Sequence, residues 1–184
     1  VVVLNLPLGT VYAFSVFLRP MEALLGLGRA ELSFVFGFTL VAFTGGMNAA
    51  PLLFGRASPP LLVAASSVFA AGGLALAAMA RGMVELLIGY GAMFGIGGGI
   101  AYALLLQGMN LMPIARRGLV NGFIVSLYPA GAMIGAIVFG WSLSRWGLRA
   151  TLGGLAATLG IAGLVSALLV AACAMTLVPP GQAG

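Results

Sequence analysis

Eleven charged side chains, eight arginines and three glutamates, divide this 184-residue sequence into six long stretches that carry no formal charge. They are residues 1–18, 32–55, 57–80, 86–115, 118–144 and 150–184. A helix needs about 20 apolar residues to cross roughly 30 Å of hydrocarbon, so six membrane spans are the natural count. Composition agrees, with 62% hydrophobic and 6% charged residues, where soluble domains carry about 25% charged. A mean hydropathy of +1.19 excludes a soluble globular domain, a nucleic-acid binder and a disordered chain, because none could keep so much apolar surface in water. The formal charge of +5 reads as arginines at membrane interfaces. The expected partner is the lipid bilayer, with no nucleic acid.

The lone Cys173 sits in the last apolar stretch and can form no internal disulfide. The first stretch has neither a basic leader nor a small-residue cleavage site before Arg19, so it does not read as a cleaved signal peptide. The sequence opens at Val1 without a methionine, as expected of a trimmed chain or a piece of a longer one.

The pattern predicts an all-α membrane protein: one domain, 1–184, with helices at about 1–18, 32–54, 61–80, 86–106, 119–141 and 150–177. The connections are RPMEALLGLGRAE, the short GRASPP with its proline pair, RGMVE, QGMNLMPIARRG with Pro113 and the Arg116–Arg117 pair, and SLSRWGLR. The alternating ten-residue segments of an outer-membrane barrel are absent.

Glycine is abundant, at 29 of 184 residues. In lipid, small residues let helix backbones approach closely, so Gly91, Gly95 and Gly98 in the fourth helix and Gly131 and Gly135 in the fifth read as helix-to-helix seams. The run GIGGG at 95–99 lacks the spacing and preceding strand of a dinucleotide fingerprint, and no motif calls for a cofactor or metal.

No charged residue falls within a span, so neither a proton-carrying carboxylate nor an anion-pairing arginine is available at mid-membrane. Uncharged polar residues line up instead. At 100° per residue, Asn5, Gly9, Tyr12 and Arg19 share a face of the first helix, and Ser33, Gly37, Thr44 and Asn48 a face of the second. Tyr102 falls on the glycine face of the fourth, and Asn121 and Tyr128 lie seven apart on the fifth. Tyr12 and Tyr102, near helix ends, suit an interfacial belt or a cavity; Tyr90 reads as belt. Tyr128, mid-span and followed by Pro129, suits a cavity, where a broken backbone hydrogen bond is tolerated. Asn48 and Asn121 must bond to another helix or to a ligand.

Several segments resemble the N-terminal half of a major facilitator superfamily transporter, in the oxalate/formate antiporter and monocarboxylate-porter branch. GTVYAFSVFLRPMEALLGLGRAELSFVF resembles its first helix, first external loop and entry to the second helix. GIGGGIAYALL resembles its fourth helix, MPIARRGLVNGF its entry to the fifth, and LSRWGLRATLGG its fifth-to-sixth turn, so the similarity runs essentially end to end. The resemblance implies six helices forming one half of a twelve-helix carrier, with Tyr12, Tyr102 and Tyr128 presented to a small carboxylate. The cationic partners of that carboxylate, on helices 8 and 11 of the family, would come from a second six-helix half. The family's Asp in the loop after helix 2 is missing here, where Gly55 and Arg56 lead straight to Ser58, Pro59 and Pro60. The helix-1 lysine of proton-coupled animal monocarboxylate carriers is missing too, which argues against that coupling mode.

The function expected is therefore part of a secondary active transporter moving a small organic mono- or dicarboxylate by alternating access, in the plasma (inner) membrane of a bacterium. Its binding residues would be Tyr12, Tyr102, Tyr128, Asn121 and Asn48. With no His and no Asp in the sequence, intramembrane serine or metal proteases and headgroup transferases lack their catalytic groups, so no enzyme is expected. No acidic pore ring or carbonyl filter suggests a channel. A degenerate or structural six-helix subunit without transport activity is the alternative. The resemblance places the N-terminus inside, although that leaves three arginines on inner loops against five on outer ones, contrary to the positive-inside rule.

Overall fold

The computed structural model describes residues 1–111 and 117–173, and every regular element among them is helical. Five helical runs are long and apolar enough to cross a membrane: Val2–Leu25, Arg29–Leu53, Pro59–Met79, Met83–Leu111 and Gly118–Ala172. The chain is a multi-pass membrane protein. The fifth run, of 55 residues, would reach about 80 Å if straight. It is broken at Gly147, whose φ of 76° and ψ of 178° lie in a region essentially reserved for glycine. Ser142 and Thr151 would stand about 13.5 Å apart along one straight helix, yet their hydroxyls are 2.7 Å apart. The chain therefore folds back on itself at Gly147. We label the helices α1 (Val2–Leu25), α2 (Arg29–Leu53), α3 (Pro59–Met79), α4 (Met83–Leu111), α5 (117–146) and α6 (148–172).

Helix ends differ from the sequence reading because loss of hydropathy marks the edge of the hydrocarbon rather than the end of a helix. The RPMEALL segment, expected as a connection, continues α1 with Met21 fully buried. Gly26 stops it at φ 66°, donating its N–H to the Glu22 carbonyl at 3.1 Å, the left-handed cap that glycine favours. The Glu31 carboxylate then accepts the Gly28 N–H at 2.8 Å and opens α2. Glu22 and Arg29 pair across the turn at 2.9 Å. At the other turn the link is Gly147 alone, not the eight residues of SLSRWGLR. Pro113, Arg116 and the expected end of the sixth helix near Leu177 lie outside the described residues.

Backbone-to-backbone seams hold the bundle. A Cβ at Gly9 or Gly131 would run into the carbonyls of Tyr128 and Leu6, so α1 and α5 touch main chain to main chain. Gly46, Gly95 and Gly99 do the same between α2 and α4, meeting the carbonyls of Ile96, Thr39 and Phe43. Toward α2 the α4 seam is thus Gly95 and Gly99, and toward α3 it is Gly89 and Gly97, which meet the carbonyls of Gly73 and Ser66; Gly98 packs on the Leu8 and Phe43 side chains and Gly91 on the Phe38 ring. α3 packs against both α4 and α6.

Two helices are irregularly wound. α1 is a 3₁₀ helix over Thr10–Phe17, following Pro7, and α4 has wide π-type turns over Leu87–Phe94. Long 3₁₀ runs and π turns are uncommon and concentrate where function or strain requires them. They also undo the 100° bookkeeping. Asn5 is fully buried while Tyr12, expected on the same face, is 53% exposed. Tyr90, expected in the interfacial belt, is a core residue, its ring 4.9 Å from Phe14 and 5.1 Å from Phe94.

Candidate functional site

Three tyrosines from three helices meet at one point. The 3₁₀ winding of α1 turns Tyr12 outward from the core, and α4 presents Tyr102 past its glycine seam. α5 presents Tyr128 immediately before Pro129, which cannot donate to the helix ladder. The Tyr128 ring lies 4.9 Å from Tyr102 and 6.1 Å from Tyr12, edge to face in both cases. Phe43 of α2 closes the cluster at 5.9 Å from Tyr128 and 6.1 Å from Tyr102. Such edge-to-face pairs hold ring orientation as well as contributing about 0.5–1.5 kcal/mol each.

These rings line a cavity of about 700 Å³, completed by Thr44 and Met47 of α2 and by Val125, Ala132 and Met133 of α5. The volume falls in the range that small-molecule sites occupy. Its floor is Tyr128, 7% exposed, whose buried hydroxyl has no hydrogen-bond partner among the described residues. Leaving such a group unsatisfied costs about 1–3 kcal/mol. Thr44 is already engaged, donating to the Leu40 carbonyl at 2.9 Å. The lining therefore offers tyrosine side chains, two thioethers and aromatic faces, and none of its residues is charged. The lining contains no His, Cys, Asp or Glu. Among the described residues there is no cluster of His, Cys, Asp or Glu that could hold a metal ion.

The two asparagines expected at the site are elsewhere. Asn48 is exposed and donates to the Thr44 carbonyl of its own helix at 2.8 Å. Asn121 donates to the Asn110 side chain at 2.9 Å, tying the start of α5 to the end of α4. In an apolar solvent an amide bonds to whatever lies nearest, and here that is protein. Phe43, Met47 and Met133 escaped the sequence reading because apolar residues in an apolar helix carry no signal. Asn5 is the remaining anomaly: fully buried, with neither side-chain atom partnered among the described residues.

No protein-family model matches the chain, and no curated protein matches it. What the site can do has to be argued from its chemistry: three tyrosines, a threonine and two thioethers on a concave aromatic wall can bind and orient a ligand.

Proposed function

We propose that this chain is six helices of a secondary active transporter of the major facilitator type, binding a small organic anion at the tyrosine cavity and exposing it alternately to the two sides. The observation that carries this reading is the convergence of Tyr12, Tyr102 and Tyr128 on one cavity, with the Tyr128 hydroxyl buried and without a partner among the described residues. A carboxylate oxygen is the acceptor such a hydroxyl lacks.

Two further features support it. Carriers of this kind are built from inverted three-helix repeats in which helix 1 corresponds to 4 and helix 2 to 5. Under that exchange the glycine seam of α1 with α5 maps onto the seam of α4 with α2, and the irregular winding of α1 onto that of α4. In addition, Ser33, Gly37, Thr44 and Asn48 share an exposed face of α2, and a Cβ on Gly37 or Gly45 would meet no atom within 4 Å. A polar, small-residue strip of this kind suits another transmembrane helix, such as one from a second half. That half would also supply the cation that this cavity lacks. The assignment to a bacterial plasma membrane with the N-terminus inside belongs to the same reading.

The uncharged lining favours a second reading, a structural six-helix subunit without transport. Exchange of labelled oxalate, formate and lactate, measured with the chain assembled with its second half, separates the two. Under the transport reading Tyr128→Phe weakens anion binding about 10- to 150-fold, the worth of a hydrogen bond to a charged group, with protein level unchanged. Asn48→Ala, off the cavity, leaves it unaltered. Exchange indifferent to Tyr128, or no exchange, refutes the site.

A further inference from the structure

A second concavity, of about 350 Å³, lies between α1, α5 and α6, lined by Leu6, Thr10, Ile134, Val138, Leu155 and Thr158 among others. Its hydroxyls are all committed. Thr10 donates to the Pro7 carbonyl at 2.6 Å, Thr158 to the Gly154 carbonyl at 2.8 Å, and Ser142 and Thr151 bond each other at 2.7 Å. The groove therefore presents hydrocarbon with nothing to hold a water molecule. One end carries the opposite chemistry. Trp146, part of the lining, is 62% exposed and packs edge to face on Trp141 with centroids 5.0 Å apart. The Arg145 guanidinium lies over the Trp141 ring at 5.6 Å. Arg149 stands exposed on the far side of Gly147. The ion pair among the described residues is Glu22 with Arg29, so Arg145 and Arg149 are left with no carboxylate.

We propose that this groove binds an anionic phospholipid, one acyl chain lying along α1, α5 and α6 and the phosphate held by Arg145 and Arg149 at the Gly147 turn. Tryptophan and arginine at one end of an apolar surface mark the headgroup level of a bilayer. A zwitterionic lipid fills the groove but leaves the two arginines without a net counter-charge. A soluble anion answers the arginines but leaves the groove empty. An anionic amphiphile satisfies both. The inference does not rest on the transport reading.

The test uses the protein in nanodiscs, in a Trp141→Phe background that leaves Trp146 as its one tryptophan. Bromine-labelled phosphatidylglycerol or phosphatidylcholine is titrated in, and Trp146 quenching is followed. Half-quenching is expected at a brominated phosphatidylglycerol fraction roughly fivefold lower per arginine engaged than for phosphatidylcholine. Arg145→Gln with Arg149→Gln abolishes the difference. Gly154→Leu also abolishes it with both arginines intact, since Gly154 lines the groove and a Cβ there meets nothing within 4 Å. Equal quenching by the two lipids overturns the proposal. A preference that survives Gly154→Leu overturns it as well, reducing the effect to interfacial charge, and no quenching by either lipid overturns it too, since the groove is then closed to acyl chains.

Discussion

Gly9 of α1 lies so close to Tyr128 of α5 that a Cβ on Gly9 would overlap the Tyr128 carbonyl and stand 2.9 Å from its Cα. The cavity floor is thus held by main-chain contact rather than by side chains. Gly9→Ala forces the two backbones apart at the residue that positions the cavity's buried hydroxyl. Overpacking of this kind costs about 1–3 kcal/mol, and it lowers the thermal midpoint in detergent and weakens ligand binding together. Gly140→Ala, where the added carbon meets nothing within 4 Å, leaves ligand binding unchanged and does not lower the thermal midpoint. A destabilisation at Gly140 as large as at Gly9 contradicts the seam.

The turn at Gly147 gives a second contrast. An added Cβ would find open space, so only the backbone objects to a substitution. With φ at 76° and ψ at 178°, Gly147→Ala is expected to cost about 1–3 kcal/mol by strain alone. Gly153→Ala, in open space within α6, should be neutral or mildly stabilising. Thermal unfolding of the two variants compares them directly.

The spacing of eleven charges locates the spans because a formal charge is expensive in hydrocarbon whatever the fold. Gly131 is readable as seam because small-residue spacing has one dominant use in lipid. The misplacements share a physical cause. Tyr90, and the relation of Asn5 to Tyr12, depend on winding, and an α-helical 100° per residue does not hold through the π turns of α4 or the 3₁₀ turns of α1. Asn121 takes the first of the two alternatives its position left open, a bond to another helix, but the identity of its partner Asn110 is a pairing that no local pattern encodes. The cavity was legible only through its tyrosines, since Phe43 and Met133 look like any other lipid-soluble side chain.

Topology follows from the hairpins. Ser58 precedes α3 and Ser144 lies near the α5–α6 turn, and both are exposed. With α3, α4 and α5 between them, they fall on opposite sides of the membrane. Single cysteines at these positions, in a Cys173→Ser background, should react with impermeant maleimide from opposite faces, position 58 from the inside. Labelling of position 58 from outside inverts the protein and hands the decision to the arginine count.

Reconstituted by itself, the chain is expected to show no saturable uptake of oxalate, formate or lactate. Bringing an unpaired carboxylate to mid-membrane costs several kcal/mol even after relaxation, and the cavity has no cation to offset it. Saturable exchange in liposomes containing this chain alone would show that copies pair to form a complete site.

The irregular windings of α1 and α4 also bring two helices of unequal residue count toward one length. α1 has 24 residues and α4 has 29. Eight 3₁₀ residues rise about 2.0 Å each instead of 1.5 Å, stretching α1 from about 36 Å to about 40 Å. The π turns of α4 do the reverse, packing more residues into each ångström of height. Overwinding the shorter helix and underwinding the longer one brings their lengths together.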